Sequence, residues 1–241
     1  MVDASSVRKP MRRSSAPLGS RKFCVPTSVL NWFAYFSNRG IPQPAGLAGP
    51  RNWQSNTNYN VVTANLAAMG VLMGTSTSSG TNGNGGTVGA TFYSIGFAQN
   101  KIAVQHFWAG NGDPISPQAF AVARQLGGYT AFCYGRYTLD STSHYTRTGG
   151  HCLTLVGEID ACGGLTSTIK FRDPASDGYN TTQSTFTTHE RAVTGGAAFF
   201  RGDPGDSYDE DVRWQMPGGS SIKFLDSMFV LTPRVALTQN P

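Results

Sequence analysis

Residues 149–173, GGHCLTLVGEIDACGGLTSTIKFRD, restrict the fold more than any other stretch of the chain. From His151 to Ile159 and from Leu165 to Asp173, apolar or β-branched residues fall at alternating positions, and Asp160, Gly163 and Gly164 supply turn chemistry between them. The stretch reads as two antiparallel strands. If their pairing is symmetric about Cys162, Ile159 faces Leu165, Leu155 faces Ile169, and His151 stands opposite Asp173, with Cβ atoms about 4.5 to 5.5 Å apart. A carboxylate at that distance can accept a hydrogen bond from an imidazole N–H. Because successive side chains point to opposite faces, a register slip of one residue would part the two.

A second constraint lies upstream, in RKFCVPTSVLNWFAYF. Val29, Leu30, Phe33 and Phe36 recur at helical spacing, Pro26 suits a first turn, and Gly40 ends the run. Cys24 therefore begins a helix, where unpaired backbone N–H groups and the positive end of the helix dipole favour the thiolate. A lone cysteine is more often a small apolar core residue than a nucleophile, and the histidine–aspartate pair of the hairpin is what shifts that balance.

Elsewhere the pattern gives a loop over 40–60, with Trp53 lining a cleft, and a helix over 61–73. The Gly-, Ser-, Thr- and Asn-rich run from Gly74 to Gly89 reads as a mobile loop without the lysine of a phosphate-binding loop. Next come a helix over 91–98, a strand over 102–108, a helix over 117–126 started by Ser116 and Pro117, and a strand over 129–137. Beyond the hairpin, strands are expected at 183–188, 197–201, 212–215 and 222–232. His106 and His144 read as satisfied or solvated polar residues, with no third ligand at metal-like spacing. The acidic segment 203–211, DPGDSYDED, has the oxygen atoms a calcium site needs but not the EF-hand spacing, and reads as a solvated turn. No metal or other cofactor is expected.

The net charge of +5 suggests nucleic acid until it is located. Arg8, Lys9, Arg12, Arg13, Arg21 and Lys22, set against Asp3, account for the whole excess, so the basic character belongs to a disordered leader over 1–22 and not to a binding face. Residues 23–241 then form one domain, expected to be monomeric and to bind neither nucleic acid nor, with no apolar run of about 20 residues, a membrane interior. Only 14% of residues are charged and 29 are glycine, a composition closer to exported or cell-surface proteins than to cytosolic enzymes. Cys24, Cys133, Cys152 and Cys162 contain no C-x-x-C pair; in an exported chain two of the last three could form a disulfide, leaving Cys24 as the odd thiol.

Nucleophile, base and orienting carboxylate thus follow in the chain as Cys24, His151 and Asp173. The segment CVPTSVLNWFAYF resembles the helix that carries the nucleophile in papain-like cysteine peptidases related to the bacteriocin leader-processing peptidases. GGHCLTLVGEI and FRDPAS resemble that family's histidine strand and the R-D-P of its third catalytic residue. The resemblance implies an α+β fold of papain-like type, an N-terminal helical half packed on an antiparallel sheet. It also implies thiol-dependent hydrolysis of a peptide or isopeptide bond in a peptide or protein substrate by Cys24, His151 and Asp173. Two departures accompany it. Val25 replaces the glycine expected after the nucleophile, and the oxyanion-donating glutamine expected before Cys24 is absent, the first glutamine being Gln43. Losing such a donor typically costs about 100- to 1000-fold in rate. The Cys24 N–H with the Ser20 hydroxyl is the substitute the sequence offers. An acyltransferase on the same triad and a degenerate peptide-binding module are the rival readings.

Overall fold

The computed structural model describes residues 22–44, 47, 56–160, 165–173, 188–201 and 208–238. Helix α1 (Cys24–Ser37), α2 (Asn56–Leu72) and α3 (Gly83–Phe97) precede strand β1 (Ile102–Trp108), α4 (Pro117–Gln125) and six further strands. These are β2 (Tyr129–Leu139), β3 (His144–Asp160), β4 (Thr166–Arg172), β5 (His189–Arg201), β6 (Tyr208–Gln215) and β7 (Ile222–Pro233).

The local signals explain most boundaries. Ser116 accepts a hydrogen bond from the Ala119 N–H at the start of α4, Pro117 takes the first helical position, and Gly127 beyond its end adopts a φ of +79°. One loop expectation fails: α3 begins at Gly83, inside the glycine-rich run from Gly74 to Gly89. Asn82 caps it by accepting from the Gly85 N–H, and the glycines let α3 lie against the end of α2. A methyl group on Gly85 or Gly89 would collide with the backbone of Leu72 or Met73. Glycine serves close packing here rather than freedom. Likewise α2 starts at Asn56, within the span expected to be loop. Trp53, Cys162 and most of the strand expected over 183–188 lie outside the described residues, and the following strand begins at His189. Of the acidic segment, Asp209–Asp211 belong to β6 rather than to a turn, and no cluster of three metal-ligating side chains occurs among the described residues.

The sheet overturns the expected papain-like architecture. Helices packed on an open antiparallel sheet are not found; β7, β2, β3, β4, β5 and β6 close into a six-stranded antiparallel barrel accompanied by four helices, with β1 added outside on β7. Closure explains the departure: β6 and β7 meet through the pair Gln215 and Phe224 and the bond from the Met216 N–H to the Lys223 carbonyl, so the last strands return to the first. No helix among the described residues is long and apolar enough to cross a membrane.

Two apolar clusters follow. One takes residues from all six ring strands, including Phe132, Leu153, Ile169, Val193, Trp214 and Leu225, and so fills the barrel, with Phe120 of α4 packed into it. The other lies between the helices and the outer sheet face, where Val29, Leu30, Phe33 and Tyr93 meet Cys133, Cys152 and Phe229. Within it, Cys133 on β2 and Cys152 on β3 are directly paired residues joined by a disulfide, one of the pairings the cysteine spacing left open.

Candidate active site

Helix α1 brings Cys24 to the sheet, and its docking is specific. The Thr154 hydroxyl donates to the Ser28 carbonyl at 3.2 Å and accepts from the Asn31 side-chain amide at 2.9 Å, while the Trp32 indole N–H donates to the Thr130 carbonyl at 2.8 Å. Three bonds fix the helix to β2 and β3. Cys24, the first residue of α1, consequently reaches His151 on β3, and the thiol and imidazole are hydrogen-bonded.

His151 is 8% exposed, and its Nε2 lies 2.7 Å from Oδ1 of Asp173. Thiol, imidazole and carboxylate therefore form one connected line, with the imidazole bonded on both sides. The residues named from the sequence meet, although not through the register expected of the hairpin. Ile159 faces Thr168 rather than Leu165, and Leu155 faces Phe171 rather than Ile169. At the tip the true register differs from the expected one by three residues, which would put His151 and Asp173 on opposite faces. A bulge between Leu155 and Gly157 reduces the difference to two, restoring the face, so Asp173 reaches His151 from a diagonal position. The residue opposite His151 is Tyr134 of β2, whose ring meets the imidazole edge-on at 5.7 Å between centroids.

The electrostatics follow from this line. Burial would push the Cys24 thiol up, but the hydrogen bond and charge of His151 and the backbone N–H groups of Cys152 and Val25 outweigh it, so its pKa falls below the ordinary value. Burial would likewise lower the His151 pKa; its hydrogen bonds to Asp173 and Cys24 and their negative charges reverse this and hold it at about 9. Both shifts favour the thiolate–imidazolium pair over the neutral thiol and imidazole.

Of the proposed oxyanion donors, Ser20 lies outside the described residues. The first N–H groups of α1 have no intrahelical acceptor by the geometry of any helix start, no side chain caps them, and Pro26 offers none. With the Val25 N–H turned to the thiol, the Cys24 N–H is the donor left for a developing oxyanion.

Sequence reasoning missed the ring of side chains beside the triad. Tyr134, Leu153, Phe171, Asp173, His189 and Arg191, together with residues 216–219 and Lys223, enclose a cavity of about 230 Å³ at the mouth of the barrel. No motif marks them, since they come from five strands and a turn and become neighbours only when the ring closes.

No family model matches the chain, and no curated protein or solved structure matches it either.

Proposed function

We propose that the chain is a cysteine peptidase that hydrolyses amide bonds of a peptide or protein substrate through Cys24, His151 and Asp173. The observation that carries this reading is the His151 imidazole, buried and hydrogen-bonded to a thiol on one side and a carboxylate on the other. The Cys24 thiolate attacks the scissile carbonyl carbon, forming the C–S bond and a tetrahedral oxyanion held by the Cys24 N–H. As the C–N bond breaks, the His151 imidazolium gives its proton to the departing amine, leaving a thioester. Water then attacks that carbonyl, neutral His151 takes the water's proton, and breaking of the C–S bond frees the acid and restores the thiolate. Asp173 keeps the imidazole oriented and its charge stabilised throughout. The resemblance of the segments around Cys24, His151 and Asp173 to papain-like peptidases supports this chemistry, while the barrel departs from their fold.

Limiting iodoacetamide at neutral pH, followed by peptide mapping, tests the reading. Cys24 is expected to label fast and alone, the rate dropping sharply in His151→Ala, and a peptide library is expected to be cleaved by the wild type but not by Cys24→Ala. Labelling of Cys24 at the rate of an ordinary exposed thiol, indifferent to loss of His151, would overturn it.

A further inference from the structure

The cavity at the barrel mouth shares Asp173 with the triad, yet its other charged residues do no work in the chemistry above. Arg191 of β5 and Lys223 of β7 both line it, and His189 adds an Nε2 that is buried without a hydrogen-bond partner, its ring stacked on Phe171. Lys223 is held over the opening by donating to the Gly218 carbonyl at 2.5 Å, with its Nζ 5.4 Å from the centre of the Tyr134 ring. The Arg136 guanidinium stacks near the same ring at 5.7 Å. Two cations thus flank the residue opposite His151.

Among the described residues these charges have no ion-pair partner of their own. Among the described residues no carboxylate forms a salt bridge with Arg136, Arg191 or Lys223; Arg191 donates only to the Glu190 carbonyl, and Asp173, the one acid lining the cavity, is already bonded to His151. Burial and the proximity of Arg136 and Arg191 push the Lys223 pKa down, and the nearby Asp173 carboxylate offsets this only in part. Like charges gathered around a concave site repel one another, and an anion placed among them relieves that repulsion while gaining charge-assisted hydrogen bonds.

We infer that the barrel mouth is a specificity pocket for a carboxylate of the substrate, gripped by Arg191 and Lys223 beside the scissile amide. The cavity holds a single side chain or chain end, not a drug-sized ligand. The carboxylate belongs either to an Asp or Glu side chain flanking the scissile bond or to the substrate's free C-terminus. This assignment rests on the peptidase reading for its substrate, but not for its test.

Binding to the full-length Cys24→Ala chain needs no thiol chemistry. Three N-acetylated probes are compared by calorimetry at low and moderate salt: acetyl-Gly-Glu-Gly-Gly-amide, its Gln counterpart, and the Gln peptide with a free C-terminal acid. One of the two acidic probes is expected to bind about tenfold tighter than the neutral one, the advantage shrinking with salt, and which of them does so identifies the source of the carboxylate. Lys223→Gln and Arg191→Gln should each erode the preference, and Arg191→Glu should abolish it, with thermal midpoints confirming folding. Equal binding of all three probes, or a preference that survives both glutamine substitutions in a folded chain, would overturn the pocket. An acidic preference in a protein whose Cys24 proves unreactive would sink the peptidase reading and leave the pocket standing.

Discussion

Asp173 is hydrogen-bonded to His151 and takes no covalent part in the reaction, so its effect should be visible as a pH shift. Cleavage by the wild type requires imidazolium and should fall as pH rises through about 9. Asp173→Asn removes the negative charge and should move that alkaline limb toward the ordinary histidine value of about 6.5, with kcat/KM down by roughly 100-fold or more at neutral pH. A pH–rate profile of the two proteins checks this, and coincident alkaline limbs would refute it. The same residue makes a prediction about folding. His151 binds its proton more tightly in the folded chain, so it contributes stability in full below about pH 6.5. That contribution is lost as pH climbs through about 9. Denaturant titrations at pH 6 and pH 9.5 should show a smaller drop in His151→Ala than in the wild type.

At the scale of elements, the site depends on how α1 is pinned to the sheet. Thr154→Val removes a hydroxyl that serves the buried Ser28 carbonyl and the exposed Asn31 amide, and should cost about 1 kcal/mol. If the helix positions the thiol, Cys24 labelling should slow in the folded variant as well. The disulfide between Cys133 and Cys152 spans a sequence separation of 19 across β2 and β3, so a Cys133→Ser, Cys152→Ser chain should lose about 3 kcal/mol in a denaturant melt. Elements are also where the sequence was most and least legible. Alternation and capping residues gave the strands flanking the site and helices α1 and α4, because those signals act within a few residues. The bulge at Val156 carries no such signal: nothing in LTLVGEID distinguishes the extra residue, and only pairing with β4 decides where the strand must kink. The hairpin reading reached the right pair of residues through a wrong register because parity, not register, sets the face. The glycines of α3 misled for a related reason, their use being defined by Met73, just past the end of another helix.

For the whole molecule, ring closure is the fact that local patterning could not supply. The papain-like expectation of helices packed on an open sheet fails here, since no residue on β6 or β7 announces that the two will meet. Their junction runs through the turn at Gly218 and Gly219, whose φ values of +109° and +78° suit glycine alone. Gly218→Ala should destabilise the chain by about 1 to 3 kcal/mol and weaken the hold on Lys223, whose ammonium donates to the carbonyl of that residue. Thermal melts report the first effect, and acidic-peptide binding the second. The ring also has a history in time. β7 pairs with β1, β2 and β6, so the last of these strands to be made is the one the earlier ones are waiting for. During synthesis at about 5 to 20 residues per second, β1 and β2 stand exposed for several seconds with their shared partner not yet made. Until residue 233 is free there is no closed barrel and no pocket mouth. A working site is therefore expected only after synthesis of β7 is complete, however early Cys24 and His151 emerge.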